Sequence, residues 1–241
     1  MSPLLRHKTI LLVYVSNHIV STMNLGYLIP IVCFWHTIST QIAKYKSPAI
    51  TNNVVSFIHC ISFIGHYHYD YNLEYATHIS IGFYIYDLFY ICSCIFASTS
   101  TSTSTSTSTE VKHRAPFILH HLAGMYILNA CLGEESKTHI LYAYHILEKS
   151  NIMLYISYHL HKEYAHYLRV NIFAEFAQLL IYSYYRLIAL SIFVYNRRTQ
   201  FFQFQYVIQI LITAVYCMGF MWSYNLVRKN VRNFYSLRKA A

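Results

Sequence analysis

The chain has 241 residues, of which 56% are hydrophobic and only 11% are charged, and its formal net charge is +9. A soluble domain usually carries about 25% charged residues, so the composition excludes an ordinary soluble fold. The positive charge does not indicate a nucleic-acid partner, because the basic residues are spread over short loops and the C-terminal tail and form no basic aromatic face. This distribution is typical of a membrane protein that contacts anionic headgroups.

Long apolar runs recur from one end of the chain to the other. A helix needs about 20 mostly apolar residues to cross a bilayer. The first run has the length of a span and no small-residue cleavage site, so we predict a membrane helix there and not a removed signal peptide. We predict an all-α membrane protein with seven transmembrane helices, at residues 9–35, 53–68, 77–97, 116–132, 138–160, 171–195 and 204–227.

The chain is predicted to form one helical domain with short extensions. Residues 1–52 hold the first helix and a loop, residues 53–228 hold the other six helices, and residues 229–241 form a basic tail. An alternating Ser/Thr tract at residues 98–109 interrupts the six helices. Because this tract cannot bury apolar surface, we expect it to be a disordered loop.

The distribution of Lys and Arg predicts the orientation in the membrane. Most of these residues fall in loops on the same side as the C-terminal tail, although the Arg197–Arg198 pair falls on the opposite side. Cytosolic loops are enriched in Lys and Arg. The C-terminus is therefore predicted to be cytosolic.

Several polar side chains lie within the predicted spans, where an ionisable group costs a few kcal/mol and normally faces the interior of a helix bundle. Three of them follow at steps of three on the fifth span and therefore share one helix face. We expect the whole set to line one cavity, the alternative being that these side chains only fix the packing between helices. The set comprises His59, Asp87, His120, His121, His145, Glu148, Asn151 and Arg186.

The candidate catalytic residues are two histidines and two carboxylates, His120, His121, Asp87 and Glu148. A carboxylate fixes the tautomer of a histidine, which then acts as a general base or nucleophile. Adjacent residues on a helix point about 100° apart, so only one histidine can face the cavity centre. We predict that His120 is the reactive member and His121 the structural one. Arg186 is expected either to pair with one of these carboxylates or to hold a lipid phosphate or carboxylate.

The 15 histidines of the chain suggest a metal site as an alternative to the histidine–carboxylate site. Membrane di-iron enzymes carry HxxxH and HxxHH boxes, and this chain has neither. Its nearest pairs, His66 with His68 and His159 with His161, lie near the ends of predicted spans. We therefore predict no metal and no cofactor.

Six short segments resemble a known family in their order and helix positions. The paired-histidine segment is similar to that of TLC-domain proteins, named after translocating-chain-associated, longevity-assurance and ceroid-lipofuscinosis membrane proteins. The match runs over residues 53–228. The segments are VVSFIH (54–59), IGFYIYDL (81–88), FILHHLAGMY (117–126), LEKS (147–150), YR (185–186) and MWSYN (221–225).

The resemblance implies a bundle of six helices around a central cavity, an additional first helix, an endomembrane location and a role in lipid homeostasis. Ceramide synthases in this family use the paired histidines for N-acylation of a sphingoid base. This chain has Glu148 and Asn151 where those enzymes carry two Asp, which favours the TLC-domain-only branch. The lipid-binding residues that we predict are His59, His145, Asn151, Arg186 and Asn225.

Two functions follow as hypotheses. In the first, the protein binds, senses or transports a membrane lipid, and in the second it is an acyltransferase that uses acyl-CoA and the paired histidines. The ending Arg238-Lys-Ala-Ala resembles a dibasic retrieval signal and predicts residence in the endoplasmic reticulum or a related endomembrane. A membrane lipid is the predicted partner and nucleic acid is not, while the oligomeric state does not follow from the sequence.

Overall fold

The structure, a computed structural model, describes residues 25–69, 73–101, 104–130, 137–203 and 206–240. Over these ranges the chain is helical apart from a few turn residues, and they contain no strand. The helices are α1 (Leu25–Ala43), α2 (Pro48–His68), α3 (Leu73–Thr101), α4 (Ser104–Ala130), α5 (Lys137–Glu163), α6 (Leu168–Ser183), a π-helical segment (Tyr184–Ala189), α7 (Leu190–Asn196), α8 (Arg198–Gln203) and α9 (Tyr206–Ala240).

Four stretches of these helices are long and apolar enough to cross a bilayer. They correspond to the second, third, sixth and seventh predicted spans, and a shorter apolar helix, Phe117–Ala130, coincides with the fourth. The fifth predicted span lies on α5, and the first overlaps α1 only from residue 25, since residues 9–24 lie outside the described ranges. The all-helical membrane class is therefore confirmed, while the count of seven spans stays a prediction. The four stretches are Pro48–His68, Glu74–Ile95, Leu168–Asn196 and Tyr206–Tyr235.

Two of these helical stretches have largely uncovered apolar surfaces. Only 22% of the most apolar part of Leu168–Asn196, and likewise of Tyr206–Tyr235, is buried within the protein. Phe173 and Phe220 are among the large side chains left exposed on these stretches. In water an apolar area of this extent would favour aggregation, whereas lipid chains solvate it. These surfaces therefore indicate a membrane-embedded protein.

The contacts divide the chain into two compact units. The first unit comprises Met1–Thr37 and Glu74–Lys137. Its described part is held by close packing: the Trp35 indole N–H donates to the Ile79 carbonyl at 3.2 Å. Gly82 lies so close to α1 that a Cβ there would be 2.5 Å from Cγ2 of Ile31. Small residues at helix contacts allow this close approach.

The second unit comprises Ile38–Leu73 and Thr138–Ala241. Pro48 begins α2, where a fixed φ and a missing N–H suit the first turn of a helix. Helix α2 packs on α5, with the rings of Phe63 and Tyr144 edge to face at 4.7 Å. Helix α9 packs against α6 and the π-helical segment. These contacts place the central residues of α5 and one face of α6 in the core of the unit.

The Ser/Thr tract is helical in the described backbone, in place of the expected disordered loop. Helix α3 continues to Thr101, and α4 begins at Ser104. Ser and Thr are less favourable than Ala by only about 0.5 kcal/mol per residue in a helix. Extending an existing helix adds one hydrogen bond per residue without a new nucleation step. The flanking helices can therefore extend into the tract, a possibility that its composition alone does not show.

Candidate functional site

The first unit pairs a carboxylate with a histidine. Helix α3 carries Asp87 and α4 carries His121, and Nε2 of His121 lies 2.7 Å from Oδ2 of Asp87. Their side chains are only 7% and 10% exposed. Because a carboxylate accepts and does not donate, this geometry requires a proton on Nε2, and the neutral imidazole then has a lone pair on Nδ1. Among the described residues, that Nδ1 has no hydrogen-bond partner.

Tyr84 covers this pair. Its ring centroid lies 4.9 Å from that of His121 and 6.5 Å from that of His120. Gly124, one turn after the histidines, makes room for the ring, since a Cβ there would lie 2.9 Å from Cε2 of Tyr84. Asp87 on α3 thus contacts His121, the histidine to which we assigned the structural role, and adjacent imidazoles leave the helix in different directions. Which histidine reacts stays a prediction.

The second unit brings together a different part of the predicted set. Nε of Arg186 donates to the Ser150 hydroxyl at 2.9 Å, and Nη2 donates to Oδ1 of Asn151 at 3.2 Å. The Asn151 amide in turn donates to Oε2 of Glu148 at 3.5 Å. The Cys60 thiol on α2 donates to the Glu148 carbonyl at 3.1 Å. We call Glu148, Ser150, Asn151 and Arg186 the arginine cluster.

Arg186 is 2% exposed and lies on the π-helical segment. Its guanidinium stands 5.1 Å from the ring centroid of Tyr182 and 5.9 Å from that of Trp222, at distances typical of cation–π contacts. Gly219 on α9 lies beside the Arg186 side chain, since an added Cβ there would be in ordinary contact with Cδ of Arg186 at 3.5 Å. π-Helical turns are rare and frequently occur at functional sites. The side chain is therefore fixed by neighbours on several helices.

The other predicted lipid-binding residues lie in different surroundings. His59 is 1% exposed on α2. His145 stacks on Tyr67 at 4.2 Å and meets His68 edge to face at 4.7 Å. Asn225 is exposed on α9, because it lies six residues, or about 240°, from the glycine that faces Arg186. Asn225 is thus not part of the buried arginine cluster.

One buried carboxylate was not among the predicted residues. Glu175 on α6 is 1% exposed, and Nζ of Lys229 lies 2.7 Å from its Oε1. His161 also contacts Oε1, and Asn233 donates to Oε2. These four residues, the glutamate cluster, join α5, α6 and α9. A lone acid inside the run 171–195 was the available signal, because an ionisable residue within a span requires a partner.

The described side chains offer two kinds of polar centre. The Asp87–His121 pair is suited to proton transfer, and the arginine cluster is suited to holding an oxygen-rich group. In the part of the chain that the structure describes, no three His, Cys, Asp or Glu side chains are grouped as a metal site requires. The pair and the cluster belong to different units, so their joint cavity stays a prediction.

Comparison with protein-family models, with characterised proteins and with solved structures finds no match for this chain. The resemblance to TLC-domain proteins thus rests on the six short segments and stays a prediction.

Proposed function

We propose that this is a multi-pass endomembrane protein that binds a membrane lipid among its helices and thereby senses or transports it. The observation that carries the proposal is Arg186. Its side chain is buried, and Nη1 donates no hydrogen bond to any described residue. A buried donor without an acceptor costs about 1–3 kcal/mol. A lipid carbonyl, phosphate or carboxylate oxygen would satisfy that donor.

The surroundings of Arg186 support a binding role. Ser150 and Asn151 occupy two of its nitrogens, and the rings of Tyr182 and Trp222 flank the guanidinium. The remaining nitrogen is thereby held in a fixed direction. A group that is fixed before the ligand arrives loses little entropy on binding. The aromatic neighbours also provide apolar surface for an acyl chain.

The proposal includes the location and orientation. We place seven spans in the endoplasmic reticulum or a related endomembrane, with the C-terminus in the cytosol. The excess of Lys and Arg on the side of the C-terminal tail supports this orientation, and the ending Arg238-Lys-Ala-Ala supports the location. A C-terminal tag that is accessible only from the lumen in selectively permeabilised cells would contradict the orientation.

The test is the lipid that remains bound after purification, measured by native mass spectrometry on the full chain. Arg186→Gln removes the charge and three of the five N–H donors, and we expect about a tenfold loss of bound lipid. Glu148→Gln keeps the size of its side chain and should reduce binding less. Arg228→Gln is the matched control, because Arg228 is exposed and its guanidinium stacks over Tyr224 at 5.7 Å.

The folded state of each variant is compared by gel filtration and circular dichroism. Equal lipid retention by wild type and a folded Arg186→Gln variant would overturn the proposal. Equal losses in Arg186→Gln and Arg228→Gln would also overturn it, because they would show that total charge and not the buried cluster holds the lipid.

Acyl transfer is the second candidate function, and the Asp87–His121 pair favours it. Nδ1 of His121 would accept the proton of an amine or hydroxyl acceptor, which attacks the thioester carbonyl of acyl-CoA. The carbon–sulfur bond breaks, and CoA leaves as the thiol after taking that proton. Asp87, 2.7 Å from Nε2, would stabilise the imidazolium that forms in between.

This second function is tested with radiolabelled long-chain acyl-CoA and a sphingoid base or lysophospholipid as acceptor. His121→Ala should lower the rate at least a hundredfold, which is typical for the loss of a general base. His78→Ala is the control from the same unit, because Nδ1 of His78 bonds the backbone carbonyl of Glu74, on its own helix, at 2.7 Å. Absence of labelled product with the wild-type protein for every acceptor would exclude this function for those acceptors.

A further inference from the structure

A separate cavity opens at one end of the second unit. It has a volume of about 750 Å³, within the range of small-molecule sites. The end of α2, the start of α5 and the end of α7 form its walls. Its aromatic lining residues are Tyr67, Tyr142 and Phe193, and its polar ones include His139, Asn196 and Arg197. None of these six residues belongs to the predicted site.

The position of the cavity along the helices indicates its depth in a membrane. The candidate span Pro48–His68 ends one residue after Tyr67, and the span Leu168–Asn196 ends immediately before Arg197. Span ends lie where the hydrocarbon gives way to headgroups, and Tyr is enriched at that level. The cavity therefore lies at the depth of lipid headgroups.

The described lining residues carry positive charge, at Arg197. None of them is Asp or Glu, and the side chain of Arg197 pairs with no residue in the described ranges. The backbone N–H of Arg197 bonds the Phe193 carbonyl at 3.0 Å, which fixes the start of the side chain at the end of α7. An arginine fork matches the oxygens of a phosphate, and the imidazole of His139 supplies a further donor.

The buried ring of His145 holds the aromatic side chains of the lining in place. Tyr67 stacks on the buried ring of His145 at 4.2 Å, and Tyr142 has its centroid 6.5 Å from the same ring. Tyr142 also contacts Phe193 at 5.1 Å. These rings form an apolar wall beside the polar rim. Such a wall suits the glycerol and the first acyl carbons of a lipid.

We propose that this cavity binds the phosphate-bearing headgroup of an anionic membrane lipid, with Arg197 and His139 on the phosphate oxygens and the aromatic wall against the acyl carbons. The inference rests on the proposed function, lipid binding, and adds a second site and a headgroup class to it. The shared chemistry is a phosphate group, which a lipid or a soluble phosphate ester could supply.

The experiment uses the full chain in phosphatidylcholine nanodiscs that contain a minor fraction of phosphatidic acid. Native mass spectrometry counts the phosphatidic acid molecules retained. Arg197→Ala should lower retention about tenfold, as expected for the loss of a charge-assisted hydrogen bond. Arg198→Ala removes the same charge one residue away, where the side chain donates to the Tyr195 carbonyl at 3.1 Å, and should change retention less than about twofold.

A second arm adds glycerol 3-phosphate at increasing concentration. If the site takes a lipid, millimolar glycerol 3-phosphate should displace little phosphatidic acid, because it lacks the acyl chains. Full displacement at micromolar concentration would overturn the lipid assignment in favour of a soluble phosphate ester. Equal losses of phosphatidic acid in Arg197→Ala and Arg198→Ala would overturn the site itself, because they would show that surface charge alone retains the lipid.

Arg186→Gln in the same nanodiscs separates this inference from the proposed function. If Arg197→Ala keeps wild-type phosphatidic acid while Arg186→Gln loses lipid, the cavity assignment is wrong and the proposed function stands. If only Arg197→Ala loses phosphatidic acid, the cavity assignment stands and the role of Arg186 is wrong. If Arg197→Ala fails to fold, His139→Ala tests the same site. We expect it to lose less phosphatidic acid than Arg197→Ala would.

Discussion

The buried carboxylates of Asp87 and Glu175 have opposite surroundings. Glu175 is contacted by Lys229, His161 and Asn233, so both of its oxygens are occupied. Asp87 has one partner, His121, and its Oδ1 accepts no hydrogen bond from any described residue. One carboxylate is thus fully compensated, and the other is compensated only in part.

The two regions are also held together by different forces. Around Asp87 the helices are held by close van der Waals packing, with Gly82 against Ile31 and Gly124 against Tyr84. Around Glu175 it is electrostatic, since charged and amide side chains join three helices. A buried carboxylate whose two oxygens both have partners holds helices together. A buried carboxylate with one oxygen unpaired, on tightly packed helices, can still accept a proton or bind a ligand. The variants below test this distinction through stability.

Glu175→Ala should have the largest effect. It leaves Lys229 and Asn233 without their acceptor and removes the connection between α5, α6 and α9. Breaking a buried ion pair costs about 3–5 kcal/mol, and we expect about 3 because Lys229 is half exposed and can be rehydrated. Unfolding in mixed detergent micelles measures the change. A loss below about 1 kcal/mol would show that the glutamate cluster does not hold these helices.

Gly82→Ala comes next, as a test of steric packing around Asp87. A Cβ at 2.5 Å from Cγ2 of Ile31 forces a shift, and overpacking of this kind costs about 1–3 kcal/mol. Gly65→Ala is the control, because nothing lies within 4 Å of its added Cβ. That variant should be neutral or gain up to about 1 kcal/mol of helix propensity.

A double variant makes the Gly82 test specific. Ile31→Ala removes the nearest atom, Cγ2, and leaves Cβ at 3.1 Å, so adding it to Gly82→Ala should restore part of the lost stability. The unfolding curves of the two single variants and the double variant give the coupling directly. Strict additivity would indicate that α1 and α3 are not packed through this contact.

Asp87→Asn should change stability by only about 1 kcal/mol, because the amide keeps the shape and a single hydrogen bond is affected. It should still abolish the tautomer preference of His121, since an amide can donate as well as accept. Nitrogen chemical shifts of labelled histidine report that tautomer. A stability loss as large as that of Glu175→Ala would erase the contrast between the two carboxylates.

Glu163→Ala should have the smallest effect. Its ion pair with Lys46 spans 3.0 Å, and both side chains are about one-third exposed at 38% and 31%. Exposed pairs contribute about 0–1 kcal/mol and are screened by salt. The same unfolding assay at low and high salt should show a difference only at low salt. A large, salt-independent loss would mean that this pair is buried in the membrane-bound protein.

Part of the fold could be predicted from residue order alone. The apolar runs at 53–68, 77–97, 171–195 and 204–227 fall on helices long enough to cross a bilayer, because the free energy of burying backbone in lipid requires continuous apolar helices. The helical backbone at residues 98–101 and 104–109 of the Ser/Thr tract was not expected, because composition indicates burial and not the extension of a neighbouring helix.

The sequence by itself determined which side chains must find partners, since an ionisable group in an apolar run is costly wherever the helix packs. It also determined that Glu148 and Asn151 share a face, because helical periodicity is local. Only the tertiary structure decided the pairing of Asp87 with His121, of Arg186 with Ser150 and Asn151, and of Glu175 with Lys229. Partner choice depends on the rotation and axial position of each helix against its neighbours, which the close contacts of glycines and aromatic rings fix.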